Sequence, residues 1–129
     1  MAGQSAGYHE DTELLRPETL DRHRAIASLM EELEAVDWYD QRVDAASDPE
    51  LRAILEHNRD EEKEHAAMTL EWLRRRDPAL DRHLRDYLFI DGSVMEREEA
   101  LERAETSERA RGASDGSLGI GSLRAEIAR

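Results

Sequence analysis

From Pro17 to Arg76 the chain has one interior proline, Pro49, and no glycine. A stretch that long with a single backbone breaker is suited to helix on both sides of it, and the break decides the topology. Pro17 fits the first turn of a helix, and Glu18 and Asp21 favour the positive end of its dipole. Ile26, Leu29, Leu33 and Val36 then recur at helical spacing up to about Ala45. In "ASDPE", Ser47 or Asp48 can cap, Pro49 takes the N1 position and Glu50 follows. The second helix runs from Pro49 to about Arg76, with Leu51, Ile54, Leu55, Thr69, Trp72 and Leu73 on one stripe. Its closing arginines complement the negative end of the dipole. Two long helices joined by a few residues form an antiparallel hairpin.

The flanks are less regular. Residues 1–16 read as a flexible tail, and 17–90 as an all-α half-bundle. "DPALDRHLRDYLF" forms a shorter third helix capped at Asp77. Asp91-Gly92 ends it, and 91–111 reads as a charged spacer or frayed helix, since "MEREEALERAETSERA" has hardly any apolar face, with Leu101 nearly alone on it. Residues 112–129 change character, with glycine and serine alternating with Leu118, Ile120 and Leu123.

A hairpin of this composition is short of core. Of 129 residues only 39% are apolar, and the formal net charge is −13. A monomer so polar buries too little to stand alone, which points to oligomerisation. The acidic balance disfavours nucleic acid and favours cations. There is no cysteine, so a metal would be held by carboxylates and imidazoles, which suits iron, manganese, zinc or calcium. No apolar run reaches membrane-spanning length and the N-terminus lacks a secretory h-region, so a soluble, unexported protein is expected.

The acidic run "NRDEEKEHAAM" divides by face. With Leu51 at zero and about 100° per residue, Glu62 falls near 20° and His65 near −40°, inside the apolar stripe. His57, Glu61 and Glu64 fall on the outer side. On the first helix Glu32 flanks the stripe with Tyr39 two turns on, and Glu31 and Glu34 point outward. No lysine or arginine lies on the inward stripe near Glu62, and an uncompensated carboxylate in a helix interface costs several kcal/mol. A cation resolves this. Di-metal four-helix bundles take one glutamate from each of two helices and a Glu-x-x-His from each of two others. Glu62-x-x-His65 and Glu32 are half of that set, so two hairpins related by a twofold axis would complete it. His9, His23, His57 and His83 read as surface or packing histidines. The zinc-hydrolase pattern H-E-x-x-H, phosphate-binding glycine loops and Ser/His/Asp arrangements do not occur.

The blocks "MEELEAVDWYDQRVDA" and "HNRDEEKEHAAMTLEWLRR", with "DGSLGIGSLR" at the tail, resemble the encapsulated ferritins of bacteria. That resemblance implies a protomer that dimerises into a ferritin-like four-helix bundle, with five dimers in an annular decamer. It implies a di-iron ferroxidase centre at the dimer interface, liganded by Glu32, Glu62 and His65, with Tyr39 beside it and Trp38 close in sequence. Calcium or zinc are surrogate occupants. It makes Glu31 and Glu34 outer residues that attract metal. It also implies that the tail, through Ser117, Leu118, Gly119, Ile120, Gly121, Ser122 and Leu123, docks onto an encapsulin shell in the bacterial cytoplasm. Two other readings stay open: a metal-stabilised structural or adaptor cargo, and a non-redox metal buffer. No nucleic-acid or membrane partner is expected.

Overall fold

The computed structural model describes residues 7–127, with side chains as far as Ala113. The described residues are helical, without strands. A 3₁₀ turn at Thr12–Leu14 is followed by α1 (Pro17–Ala45), α2 (Pro49–Arg76), α3 (Pro78–Tyr87) and α4 (Val94–Ile127). The chain divides into two compact units, Met1–Leu84 and Arg85–Arg129.

In the first unit the helix boundaries follow local chemistry. Arg16 precedes α1 without a side-chain cap and Pro17 sets its first turn. Asp48 is the cap of α2, accepting from the Leu51 amide at 2.8 Å, and Asp77 caps α3 through the Leu80 amide at 3.0 Å. Glu71 gathers Arg74 and Arg75 at the end of α2, and Arg74 also pairs with Asp81 at the start of α3. Within the stretch expected to be a tail, Asp11 caps the 3₁₀ turn through the Glu13 amide.

α1 packs along α2. Arg59 on α2 pairs with Asp40 on α1 at 3.2 Å, and Thr69 on α2 meets Glu32 on α1 at 3.3 Å. These two links fix an antiparallel register in which each step up α1 is a step down α2. The seam holds three buried apolar side chains, Val43 from α1 with Ala66 and Leu73 from α2. One helix can cover only one flank of another, so each apolar stripe is split. Leu29 and Val36 turn toward the seam and are half-buried. Ile26, Met30 and Leu33 on α1, and Leu51, Ile54 and Met68 on α2, remain exposed, Leu33 at 55% and Met68 at 64%.

In the second unit, the segment expected to be a spacer or frayed helix is helical: α4 runs from Val94 to Ile127. Ser93 caps it, accepting from the Glu96 amide, and Arg97 donates to the Asp86 carbonyl at 2.9 Å. Gly92 sits at φ +86° in the turn before it, a left-handed conformation that favours glycine. The side chains of the Gly/Ser tail, including Ser117 to Leu123, where shell docking is expected, lie outside the described residues.

Candidate metal centre

Glu62 and His65 are one helical turn apart on α2, and their side chains meet, with His65 Nδ1 3.6 Å from Glu62 Oε2. The spacing makes this local: residues three apart on a helix are neighbours. Glu62 is the more sheltered, its side chain 27% exposed against 48% for His65. The structure therefore refines the helical-wheel expectation that both lie within one stripe. Glu62 lies toward the α1/α2 seam, whereas His65 is exposed, like Ile54 and Met68. His65 also has Glu61 within 3.9 Å of Nε2, and Glu61 in turn has His57 at 3.5 Å.

Glu32 comes from α1. It is half-buried, Oε1 accepts from Thr69 Oγ1 at 3.3 Å, and Oε2 is buried with no hydrogen-bond partner. Buried polar atoms are nearly always paired, so an orphaned carboxylate oxygen calls for a reason. The register gives the axial spacing. Thr69 is level with Glu32 and lies four residues beyond His65 and seven beyond Glu62. Glu32 is thus about 6 Å along the axis from His65 and about 10 Å from Glu62. One chain brings Glu62 and His65 together but leaves Glu32 at a different level of the hairpin. Among the described residues, no three histidine or carboxylate side chains form a group able to hold a metal ion. The donor set is chemically apt for a hard or borderline cation, being carboxylate oxygens with one imidazole, yet within one chain it is incomplete.

The remaining candidates are distributed around this half-set. Tyr39 is half-buried, level with Glu62 by the same register, and the Arg42 guanidinium lies 5.2 Å from its ring. Trp38 is 49% exposed. Glu31 is exposed as expected, but Glu34 is half-buried rather than fully outward. Of the other histidines, His23 stacks on Tyr8 with ring centroids 4.3 Å apart, and His9, His57 and His83 are exposed.

Two residues correct the sequence reading. Arg59 lies three residues from Glu62 with its side chain only 23% exposed, so a cation does stand near the seam. Its guanidinium is engaged by Asp60 and Asp40, both at 3.2 Å. The hydrogen bond to Asp60 and its charge raise the arginine pKa and lower that of Asp60. Thr69, counted as part of an apolar stripe, is a polar seam residue with its hydroxyl between Glu32 and the His65 carbonyl, the latter at 3.0 Å. The signal for Thr69 was in its spacing, four residues from His65 and seven from Glu62. Nothing in the sequence indicated which residue of α1 it would face. An open groove of about 510 Å³ reaches this point, and Asp21, Ser28, Glu32, Met68, Thr69 and Trp72 are among the residues lining it.

Comparison with known proteins identifies the family of the chain. A family model described as EncFtn-like matches residues 7–91. An encapsulated ferritin-like protein of Rhodospirillum rubrum is 62% identical over 137 aligned residues, spanning 99% of this chain and 95% of its own. The encapsulin nanocompartment cargo protein EncC of Myxococcus xanthus is 34% identical over 96 residues, spanning 70% of this chain and 68% of its own. Among solved structures, protein ne0167 from Nitrosomonas europaea is similar with a TM-score of 0.66 and 67% identity, covering 67% of this chain and 96% of that one.

Proposed function

Because the chain belongs to the EncFtn-like family, we propose that it is a ferroxidase that oxidises Fe(II) at a di-iron site shared by two copies, as cargo of an encapsulin nanocompartment in the bacterial cytoplasm. The observation that carries this reading is the Glu32 carboxylate. One of its oxygens is buried without a partner, on the helix facing the Glu62/His65 pair. A second copy, seated on the exposed stripe of Ile26, Met30, Leu33, Leu51, Ile54 and Met68, supplies the other half-set. Four carboxylates then balance two divalent ions, and the neutral imidazoles complete the donors.

In this mechanism Glu32, Glu62 and His65 bind Fe(II) as substrate, and dioxygen accepts the electrons. The carboxylates favour the more highly charged Fe(III), which lowers the barrier to electron loss. His65 contributes its imidazole as a neutral nitrogen donor, with Nδ1 3.6 Å from Glu62 Oε2. Tyr39 lies beside the centre at the level of Glu62. Glu31 and Glu34, with the net charge of −13, draw cations toward the helices. Annular assembly of five dimers follows the family. A small ring encloses no mineral-sized space, so Fe(III) leaves for storage in the surrounding shell. The segment Ser117 to Leu123 docks the cargo on that shell, its aliphatic side chains filling apolar pockets. Calcium or zinc can stand in the same oxygen-rich set. Among the described residues no helix is long and apolar enough to cross a membrane.

The test is aerobic Fe(II) oxidation by the metal-free protein and by Glu62→Ala, with the mass of each assembly measured alongside. Oxidation above the buffer rate that the variant lacks supports the reading. A correctly assembled wild type with no acceleration overturns it in favour of an adaptor or a non-redox buffer.

A further inference from the structure

Three observations meet at Thr69. Its seam neighbours at helical spacing, Ala66 and Leu73, are apolar and buried, and a β-branched polar residue is a poor choice for the middle of a helix. Its hydroxyl back-bonds to the His65 carbonyl at 3.0 Å, which fixes χ1 of a side chain that is already stiff. From that fixed position it reaches across the hairpin to Glu32 Oε1 at 3.3 Å, while Oε2 of the same carboxylate is buried and unpartnered. The two oxygens of Glu32 are therefore unequal, and Thr69 is what distinguishes them.

We propose that Thr69 is a positioning residue of the metal centre: its hydroxyl holds Oε1 of Glu32 against α2, so that Glu32 offers Oε2 to the metal. The inference rests on the reading of Glu32, Glu62 and His65 as metal ligands. A hydroxyl has one proton, and here two acceptors compete for it. When the carboxylate is ionised and drawn toward a cation, the charged acceptor is the stronger one. At 3.3 Å the contact is long for O–H···O, and binding of a cation to the carboxylate would shorten it. Because Thr69 also hangs from the backbone of His65, it ties the α1 ligand to the helix carrying the other two. Loss of an outer hydrogen bond of this kind typically weakens metal binding ten- to a hundredfold. The long geometry places the expectation at about tenfold.

Four proteins test this: wild type, Thr69→Val, which removes the hydroxyl and keeps the shape, Thr69→Ser, which restores it, and Glu62→Ala. Each is titrated anaerobically with Co(II), whose visible spectrum reports ligand number, and assayed for the KM and kcat of Fe(II) oxidation. Assembly mass and melting temperature are recorded for all. Thr69→Val should bind Co(II) about tenfold more weakly with an altered visible band and a raised KM, while Thr69→Ser stays within a few-fold of wild type. A merely structural role would lower the melting temperature and leave the Co(II) band unchanged, which overturns the proposal. If Thr69→Val binds like wild type while Glu62→Ala loses binding, the positioning role fails and the metal centre stands. If Glu62→Ala binds like wild type, the metal-centre reading itself fails and takes the role of Thr69 with it. Should Thr69→Val not assemble, Thr69→Ala removes the same hydroxyl without adding bulk, and the same outcomes apply.

Discussion

The proposed role of Glu32 as a metal ligand implies a stability cost when no metal is bound, and the size of that cost can be worked out. Its Oε2 is buried and unpartnered. Leaving a buried polar group unsatisfied costs about 1–3 kcal/mol, and more when it is charged. Its Oε1 gains one long hydrogen bond from Thr69, worth about 0.5 kcal/mol at the weak end of the usual range. Glu32→Met keeps the length of the side chain and removes both contributions. Thr69 is not stranded by the change, because the His65 carbonyl still accepts its proton. The metal-free variant should thus be more stable than wild type by about 1–2 kcal/mol. For a unit of this size, about 4–8 °C per kcal/mol turns that into a melting temperature higher by roughly 4–16 °C. The assay is thermal unfolding followed by circular dichroism, on protein stripped with a chelator and again with excess Zn(II). Zinc should raise the wild-type midpoint by more than that of the variant, since the variant keeps Glu62 and His65 but lacks the Glu32 ligand and binds zinc more weakly in the folded state. Stripped Glu32→Met melting at or below the wild-type midpoint would refute the reasoning, because Oε2 would then have had a favourable partner.

Leu33→Asp places a charge in the exposed stripe that a second copy is proposed to cover. Leu33 is 55% exposed, so burying the remainder contributes about 1 kcal/mol per copy. Twofold symmetry counts the change twice, and a buried carboxylate adds several kcal/mol more. Dimer dissociation should rise at least about a hundredfold, read by native mass spectrometry, and an unchanged mass would move the interface elsewhere. Glu71 is held down to about 2 from 4.5, first by hydrogen bonding to Arg74 and then to Arg75. A carboxylate with a depressed folded pKa adds stability that is full above the unfolded value and fades as pH falls through the folded one. Glu71→Gln should therefore lower the midpoint at neutral pH, with the gap to wild type closing between about pH 4.5 and 2. A gap that does not change across that range would mean that the arginines hold Glu71 no better than water does.

What the sequence determined by itself is local. Pro17, Pro49 and Pro78 open helices, Asp48 and Asp77 cap them, and one three-residue break makes a hairpin. The three-residue spacing of Glu62 and His65 makes them neighbours on their helix, with side chains 3.6 Å apart. Periodicity also showed that the apolar stripes were broad, but not which edge would meet the sister helix, because one sequence period serves two neighbours equally well. Only the packing of α1 on α2 decided that Leu29 and Val36 are sheltered while Ile26 and Leu33 stay open. The same packing engaged Arg59 with Asp40 across the hairpin, a cation that the helical wheel had left off the inner face. It also set Thr69 against Glu32, a contact between residues 37 positions apart. Such pairs depend on register between helices, which is fixed by the fit of whole surfaces and not by any short run of residues. That is why each half of the candidate site was legible in the chain, and why the unequal oxygens of Glu32 appeared only when the hairpin closed.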